Sequence, residues 1–448
     1  MLFVRATLLF GCAACLMAQT DSQADSQADS QTEYGGPAIL SRGEAPGAKN
    51  APIAFRPYIG INGIVDNGIL PVSVNENGQI PISDVYGVEL SLGAYTYHTW
   101  KHTTLALDYR GNFRHYSQST NYDGTDQYLS LILTHQPSKR IIFSLREQAG
   151  TYSRGYFLPS AYGILEPAYL QLPQNDIYDN RVVFLNTAAS VTFQKSARLS
   201  FNFGGEGDLV RRQSSALYGT TGGIARADVQ YRVTRHSTIG VDYLFNHFSF
   251  TQGFGNSTIH SVGLNYSTQL TRRVQLSVRA GGARVESSAL TEVPLDPAVA
   301  AILGTSVGVQ AAYHRNYVPD ITARLSYTYQ HSNFGLSYAN NVNPGNGVYL
   351  TSRNQSAGGS YSYTGIRYWN FGVDGGFSRM STLIQTLGVY KSYGGGIGVT
   401  RALGKSMHLV GRLDTRHYDV AGQTFLHNGF RATVGFSWSP GDIPLALW

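Results

Sequence analysis

From Ala225 to Phe245 the chain reads ARADVQYRVTRHSTIGVDYLF, and apolar and polar residues take turns along it. Ala225, Ala227, Val229, Tyr231 and Val233 fall on one parity; Arg226, Asp228, Gln230 and Arg232 fall on the other. A polar stop at Thr234–Ser237 follows, and then Ile239, Val241, Tyr243 and Phe245 alternate with Thr238, Gly240, Asp242 and Asn246. Strand side chains point to opposite faces with period two, so this stretch predicts a β-hairpin with one apolar and one charged face. Nearly every strand-length segment downstream repeats the pattern. A wall with lipid on one side and water on the other requires it.

The alternation predicts 18 strands, near residues 56–64, 85–98, 103–116, 126–135, 140–152, 181–194, 198–211, 222–233, 238–250, 258–269, 273–285, 305–314, 321–333, 354–363, 367–380, 387–400, 407–419 and 426–438, with 16 as the alternative count. Tight turns at Trp100–His102, Pro137–Lys139, Lys195–Ala197, Thr234–Ser237, Thr271–Arg273, Asn316–Pro319, Thr364–Arg367 and Leu403–Ser406 alternate with longer loops. Short turns at one end and long loops at the other mark a transmembrane antiparallel up-and-down β-barrel, and an even count puts both chain ends on the short-turn side. Glu147, Arg379 and Lys391 fall on the apolar parity, which predicts bulges there or strand ends beyond the membrane.

Composition agrees. Charged residues are 14% of the chain, against roughly 25% in soluble domains. No apolar run past the N-terminus reaches the roughly 18 residues of a membrane-spanning helix. A formal charge of +6 gives no reason to expect a nucleic-acid partner. Residues 1–18, with Arg5 before an apolar core and Ala18 at its end, read as an export signal peptide. Both cysteines, Cys12 and Cys15, lie inside it, so neither a disulfide framework nor a thiolate metal site is expected in the processed chain. Residues 19–55, with the repeats at Asp21, Asp25 and Asp29, read as a disordered low-complexity linker, leaving 56–448 for the barrel.

The strand with Phe430, Ala432, Val434, Phe436 and Trp438 on one parity and Arg431, Thr433, Gly435 and Ser437 on the other is among the cleanest. The chain ends at Trp448. With its dyad repeats and turn rhythm, it resembles bacterial outer-membrane β-barrel proteins of the porin type, over roughly residues 56–448. The resemblance is architectural. It implies integral placement in the bacterial outer membrane after export to the periplasm, with outer-membrane lipid, small solutes and the barrel assembly machinery as partners. It leaves the oligomeric state and the solute open. The chain departs from the pattern at Ser439–Asp442, read as a turn, and at Pro444 before the final Trp.

Motif-like strings dissolve on inspection. Gly304-Thr-Ser306-Val-Gly308 fits a nucleophile elbow, but a helix is expected before the serine and a strand after it, the reverse of what an elbow needs. Gly398 to Ser406 has five residues between the glycines where a phosphate-binding loop needs four. His98 and His102 flank a turn with no carboxylate nearby in sequence. No catalytic residue, cofactor or metal is expected.

What remains is charge on the inward parity. Arg110, Arg114, Arg146, Arg198, Arg226, Arg232, Arg279, Arg324, Arg412, Arg416 and Arg431 face Glu89, Asp108, Glu206, Asp208, Asp228, Asp242, Asp374 and Asp414. Many should pair across strands, and eleven against eight leaves a modestly positive interior. The 153–180 loop is too apolar for water: Phe157, Pro159, Leu165, Pro167, Leu172 and Pro173 mark it as a constriction or cap. A second loop carries Asp296-Pro297 and Gly304, the start and stop signals of a short helix whose apolar face wants cover. The expected function is a passive pore for small hydrophilic solutes, weakly anion-preferring. The alternative is a non-conducting barrel that presents its external loops for adhesion or surface binding.

Overall fold

The computed structural model describes residues 53–67, 84–117, 123–152, 181–440 except 216, 252, 346, 385–387 and 421–424, and 443–444. The first half of the sheet runs β1 (Ile53–Asn67), β2 (Asp84–Thr99), β3 (Thr103–Tyr116), β4 (Gly124–Ser138), β5 (Ile141–Tyr152), β6 (Val182–Gln194), β7 (Leu199–Arg212), β8 (Gly219–Arg232) and β9 (Ser237–Thr251). The second half runs β10 (Gly255–Thr271), β11 (Val274–Pro294), β12 (Val307–Tyr329), β13 (Ser332–Gly345), β14 (Leu350–Tyr363), β15 (Trp369–Thr382), β16 (Tyr390–Ala402), β17 (Met407–Val420) and β18 (Phe425–Trp438). Each strand pairs antiparallel with the next, and β18 returns to β1 through Ile59↔Trp438 to Asn67↔Phe430. The sheet is thereby a closed barrel of 18 strands, with no free edge along this seam.

Burial is inverted relative to a water-soluble protein. On β9, Val241 is 51% exposed on the outside while Asp242, one residue on, is 2% exposed on the inside. Ile61, Val88, Val262, Leu264, Ile397 and Val434 are likewise exposed outward. An apolar exterior around a polar interior is stable only with hydrocarbon outside, which is the architecture of outer-membrane barrels.

Two sequence expectations fail together and cancel. The segments 305–314 and 321–333 form one strand, β12, and Asn316–Pro319 lies within it opposite Val285–Gly282 of β11. Pairing of β12 with β13 begins only at Ile321, so Pro319 sits where the strand has one neighbour and a missing N–H is tolerated. The strand missed is β13, whose Asn-, Gly- and Pro-rich end reads as loop.

At the other end of the chain, Ile443 and Pro444 continue the pairing with β1 where a turn was expected to intervene. The tail pairs Ala54↔Pro444 and Phe55↔Ile443, so five residues of β1 below Ile59 span six beyond Trp438. The pairing therefore resumes one residue out of register with β18. Trp448 lies outside the described residues. No bulge occurs at Glu147 either: the β4–β5–β6 register is regular there, and the carboxylate faces outward, accepting a 2.9 Å hydrogen bond from Thr187.

The expected helix is present as α1 (Pro297–Leu303), its N-terminus capped by Asp296, which accepts from the Ala298 N–H, and its end closed by Gly304 at φ 69°. It tips the long β11–β12 hairpin, and Ile302 is 83% exposed there, without the cover anticipated.

Candidate functional site

The register assigns each inward charge a neighbour that spacing along one strand could not. Arg279 on β11 reaches across β10 to Asp242 on β9, with Nε 2.9 Å from both carboxylate oxygens and Nη2 2.7 Å from Oδ2. Its Nη1 lies 2.6 Å from Asp320 of β12, and Nη2 donates to Ser261 at 2.9 Å. One guanidinium thus ties four strands, as its fixed fork of five donors permits. The side chain passes over Gly263, where any Cβ would lie 2.9 Å from Nε.

The same device recurs near the seam. Arg412 on β17 crosses β16 over Gly396 to meet Asp374 of β15 at 2.9 Å, while Nε donates to Asp414 at 2.8 Å. A Cβ at Gly396 would fall 2.4 Å from Arg412 Nη2. At the seam itself, Arg431 of β18 contacts Glu89 of β2 at 2.9 Å and lies 3.8 Å from Asp66 of β1, which also accepts from the Tyr116 hydroxyl. Arg110 pairs with Asp108, and Arg114 with Asp126. Elsewhere amides hold the acids: Asn186 donates to Glu206 and Asp208, and Asn202 and Gln230 donate to Asp228.

Several charges differ from the sequence reading. Asp66, Asp126 and Asp320 join the inward acids, and Arg198 lies exposed in the β6–β7 turn. Arg56 and Arg212 join the inward arginines by the same register, so the surplus of inward arginine nearly disappears. Arg110 and Arg114, singled out by their spacing, are ion-paired. Arg146, Arg226 and Arg324 instead have no carboxylate within salt-bridge distance among the described residues, and the Nε atoms of Arg146 and Arg226 are without a hydrogen-bond partner. Arg232 closes β8 at the short-turn end, and Arg416 is buried on β17.

From β13 to β16 the inward wall is built of small residues: Gly335 and Ser337, Ser356 and Gly358, Gly372 and Gly376, Gly394 to Gly398 in alternation. Asp374 of β15, held by Arg412, is the charge on this stretch, and most of the other inward charge lies on the remaining strands.

The turn between β13 and β14 bends inward and roofs part of this space. Gly345 (φ 86°) and Gly347 (φ 91°) take left-handed conformations, and a Cβ on Gly345 would overlap the Tyr349 carbonyl. The tip then reaches strands it does not pair with. Tyr218 N–H donates to the Gly347 carbonyl at 3.1 Å, and the Thr351 and Ser257 hydroxyls are 2.6 Å apart. Leu350 packs on an inward cluster of Phe248, Phe250, Ile259, Val285 and Val318. The loop expected to constrict the lumen, with Phe157, Pro159, Leu165, Pro167, Leu172 and Pro173, lies outside the described residues. Among the described residues, the β13–β14 tip is a connection that folds against strands it does not pair with, and its sequence signal is the string Asn343-Pro344-Gly345-Asn346-Gly347.

No family model and no curated protein matches the chain. Among solved structures it is similar to Pseudomonas aeruginosa OpdQ, at 14% identity over 88% of this chain and 98% of that one, with a TM-score of 0.41. Acinetobacter baumannii OccAB4 aligns at 12% identity over 86% and 98%, TM-score 0.41. A BenF-like porin from Pseudomonas fluorescens Pf-5 gives 12% identity, 86% and 98%, and 0.41. Likenesses this distant say nothing about solute or site.

Proposed function

We propose that the protein is an outer-membrane pore that passes small hydrophilic solutes by diffusion, without a reaction of its own. The observation that carries this reading is the largely Gly/Ser inward wall from β13 to β16, interrupted by the Arg412–Asp374 pair, facing a wall of ordered charge. A barrel of about 18 strands is too wide for side chains to fill, so a wall lacking bulk leaves water-filled space. The roof formed by the β13–β14 tip covers part of that space and would set its width.

A weak preference for anions follows from exposure, since the count of charges is nearly balanced. Asp66, Asp228 and Asp242 are at most 4% exposed and lie beneath their partners. Among the described residues Arg146, Arg226 and Arg324 have no carboxylate within salt-bridge distance, and they stay charged at any relevant pH. Screening within about 8 Å at physiological salt keeps the effect modest. The test is single-channel recording in planar bilayers, with the reversal potential across a KCl gradient. Stepwise conductance with a small anion-directed reversal potential is expected, moving toward zero when Arg146, Arg226 and Arg324 are changed to Ser. Absence of conductance from a correctly folded barrel would favour the second reading, a surface-binding barrel. One observation supports that second reading: the β11–β12 hairpin carries an exposed Tyr313 (81%) and Ile302.

A further inference from the structure

The two ends of the barrel carry opposite charge. The eight short turns (100–102, 139–140, 195–198, 233–236, 272–273, 330–331, 364–368 and 403–406) contain ten Lys or Arg and no Asp or Glu. The connections at the other end contain two Lys or Arg against six Asp or Glu. Among the described residues, none of the ten turn cations reaches a carboxylate within salt-bridge distance. Short turns face the periplasm in barrels of this kind, so the unneutralised charge sits at the periplasmic leaflet.

A second observation says what it faces. Arg273 lies over the Tyr329 ring with Cζ 4.0 Å from the centroid, Arg367 over Tyr368 at 4.7 Å, and Arg401 over Trp369 at 5.2 Å. All three arginines are at the short-turn end. Trp369 stacks on Phe371 and shares its outward parity, Tyr329 is exposed on the outward parity of β12, and Tyr368 is exposed in the β14–β15 turn. The rings are therefore girdle aromatics at the hydrocarbon boundary, and they hold the guanidinium planes at headgroup height, away from the lumen.

We propose that this rim is a binding surface for the phosphate of anionic phospholipid headgroups in the periplasmic leaflet. A guanidinium with one face on a ring keeps its N–H edge free, and that fork matches two phosphate oxygens. The turn lysines and remaining arginines supply the long-range attraction, as clustered basic residues do at anionic membranes. A solute in the lumen does not meet the Tyr329 and Trp369 rings, whose outward parity excludes the pore wall as their purpose.

The experiment uses the full chain, purified in mild detergent and exchanged into nanodiscs of phosphatidylcholine with one quarter phosphatidylglycerol. Lipid retained after re-extraction is measured by native mass spectrometry. Phosphatidylglycerol should be retained in clear excess over phosphatidylcholine, and the excess should fall as salt rises. Changing Arg273, Arg367 and Arg401 to Gln should lower retention by about fivefold per arginine, with the heat-modifiable mobility of the folded barrel unchanged. Tyr329→Leu, which keeps every charge, should give a smaller loss. Equal retention of both lipids, or wild-type retention by the triple variant, overturns the proposal. So does displacement of phosphatidylglycerol by millimolar inorganic phosphate, which would mark a site for free phosphate. Removing the acidic residues 21–44 should change nothing; increased retention would mean that the rim serves that segment of the chain instead of lipid.

Discussion

Replacing Gly263 by alanine tests whether the inner wall is organised around its crossing arginines. The new methyl would stand 2.9 Å from Arg279 Nε and 3.0 Å from Cζ and Nη2, closer than side chains tolerate, and all three atoms belong to one rigid plane. Relief requires the guanidinium to lift by about half an ångström, and that breaks the paired 2.9 Å contacts to Asp242, which is 2% exposed. Breaking a buried pair outright costs about 3–5 kcal/mol. Here Asp320 and Ser261 still hold the other edge of the fork and lumen water can follow, so about 1–3 kcal/mol is the better figure. Alanine returns about 0.4–1 kcal/mol by restricting the unfolded chain, leaving a net loss of about 1–2 kcal/mol.

The assay is urea unfolding of the barrel in lipid vesicles, followed by tryptophan fluorescence. Gly372→Ala is the control: it faces the same interior, and its Cβ would meet nothing within 4 Å. The decisive comparison adds Arg279→Met to both backgrounds. If the methyl acts through the guanidinium, its cost vanishes once the guanidinium is gone, a coupling of the same size as the single effect. Equal cost in both backgrounds would refute the reasoning and locate the damage in the backbone of β10.

Replacing Gly345–Tyr349 by a two-residue Asn-Gly turn should increase single-channel conductance while leaving the barrel folded; unchanged conductance would place the tip outside the permeation path. Glu147→Leu should stabilise the barrel by about 1 kcal/mol in the same urea assay, because a carboxyl is removed from the lipid face; destabilisation would show that its bond to Thr187 matters more than its surroundings. Burial slightly disfavours the charged Asp123, but the Tyr116 N–H and the His115 ring outweigh it and hold the carboxyl below its ordinary value. A lowered carboxylate stabilises fully above its unfolded pKa and loses that contribution as pH falls through the folded one. Amide exchange at Tyr116 should therefore quicken only in strong acid, and quickening near neutral pH would point to His115 instead.

Most of the fold was legible because period two carries face information in every residue. The inward or outward setting of Asp228, Asp242, Arg279 and Arg412 needs nothing but alternation. Length and partnership need more. Pro319 looks like a stop because proline usually ends pairing, yet β12 runs through it where it has a single neighbour. Ser439 to Asp442 reads as a turn, yet Ile443 and Pro444 go on pairing with β1. In each case the deciding fact was whether a neighbouring strand was present, and one strand's own sequence does not contain that.

The charged wall shows why the candidate site was only half visible. Spacing two apart on one strand suggested Arg412–Asp414 correctly, because that contact is local. It could not suggest Arg412–Asp374 or Arg279–Asp242, which are set by the register of three strands and by a glycine on the middle one. Glycine was the available signal. An inward glycine flanked across the sheet by an arginine and an acid is a gap that a long side chain can lie in, as at Gly263 and Gly396. Counting charges along the chain therefore overstated what reaches the water. Arginines that find such a gap become struts, as Arg279 and Arg412 do, while Arg146, Arg226 and Arg324 have no carboxylate within salt-bridge distance among the described residues. On the function proposed above, selectivity would depend on which arginines lie outside such struts, and the number of arginines alone would not determine it.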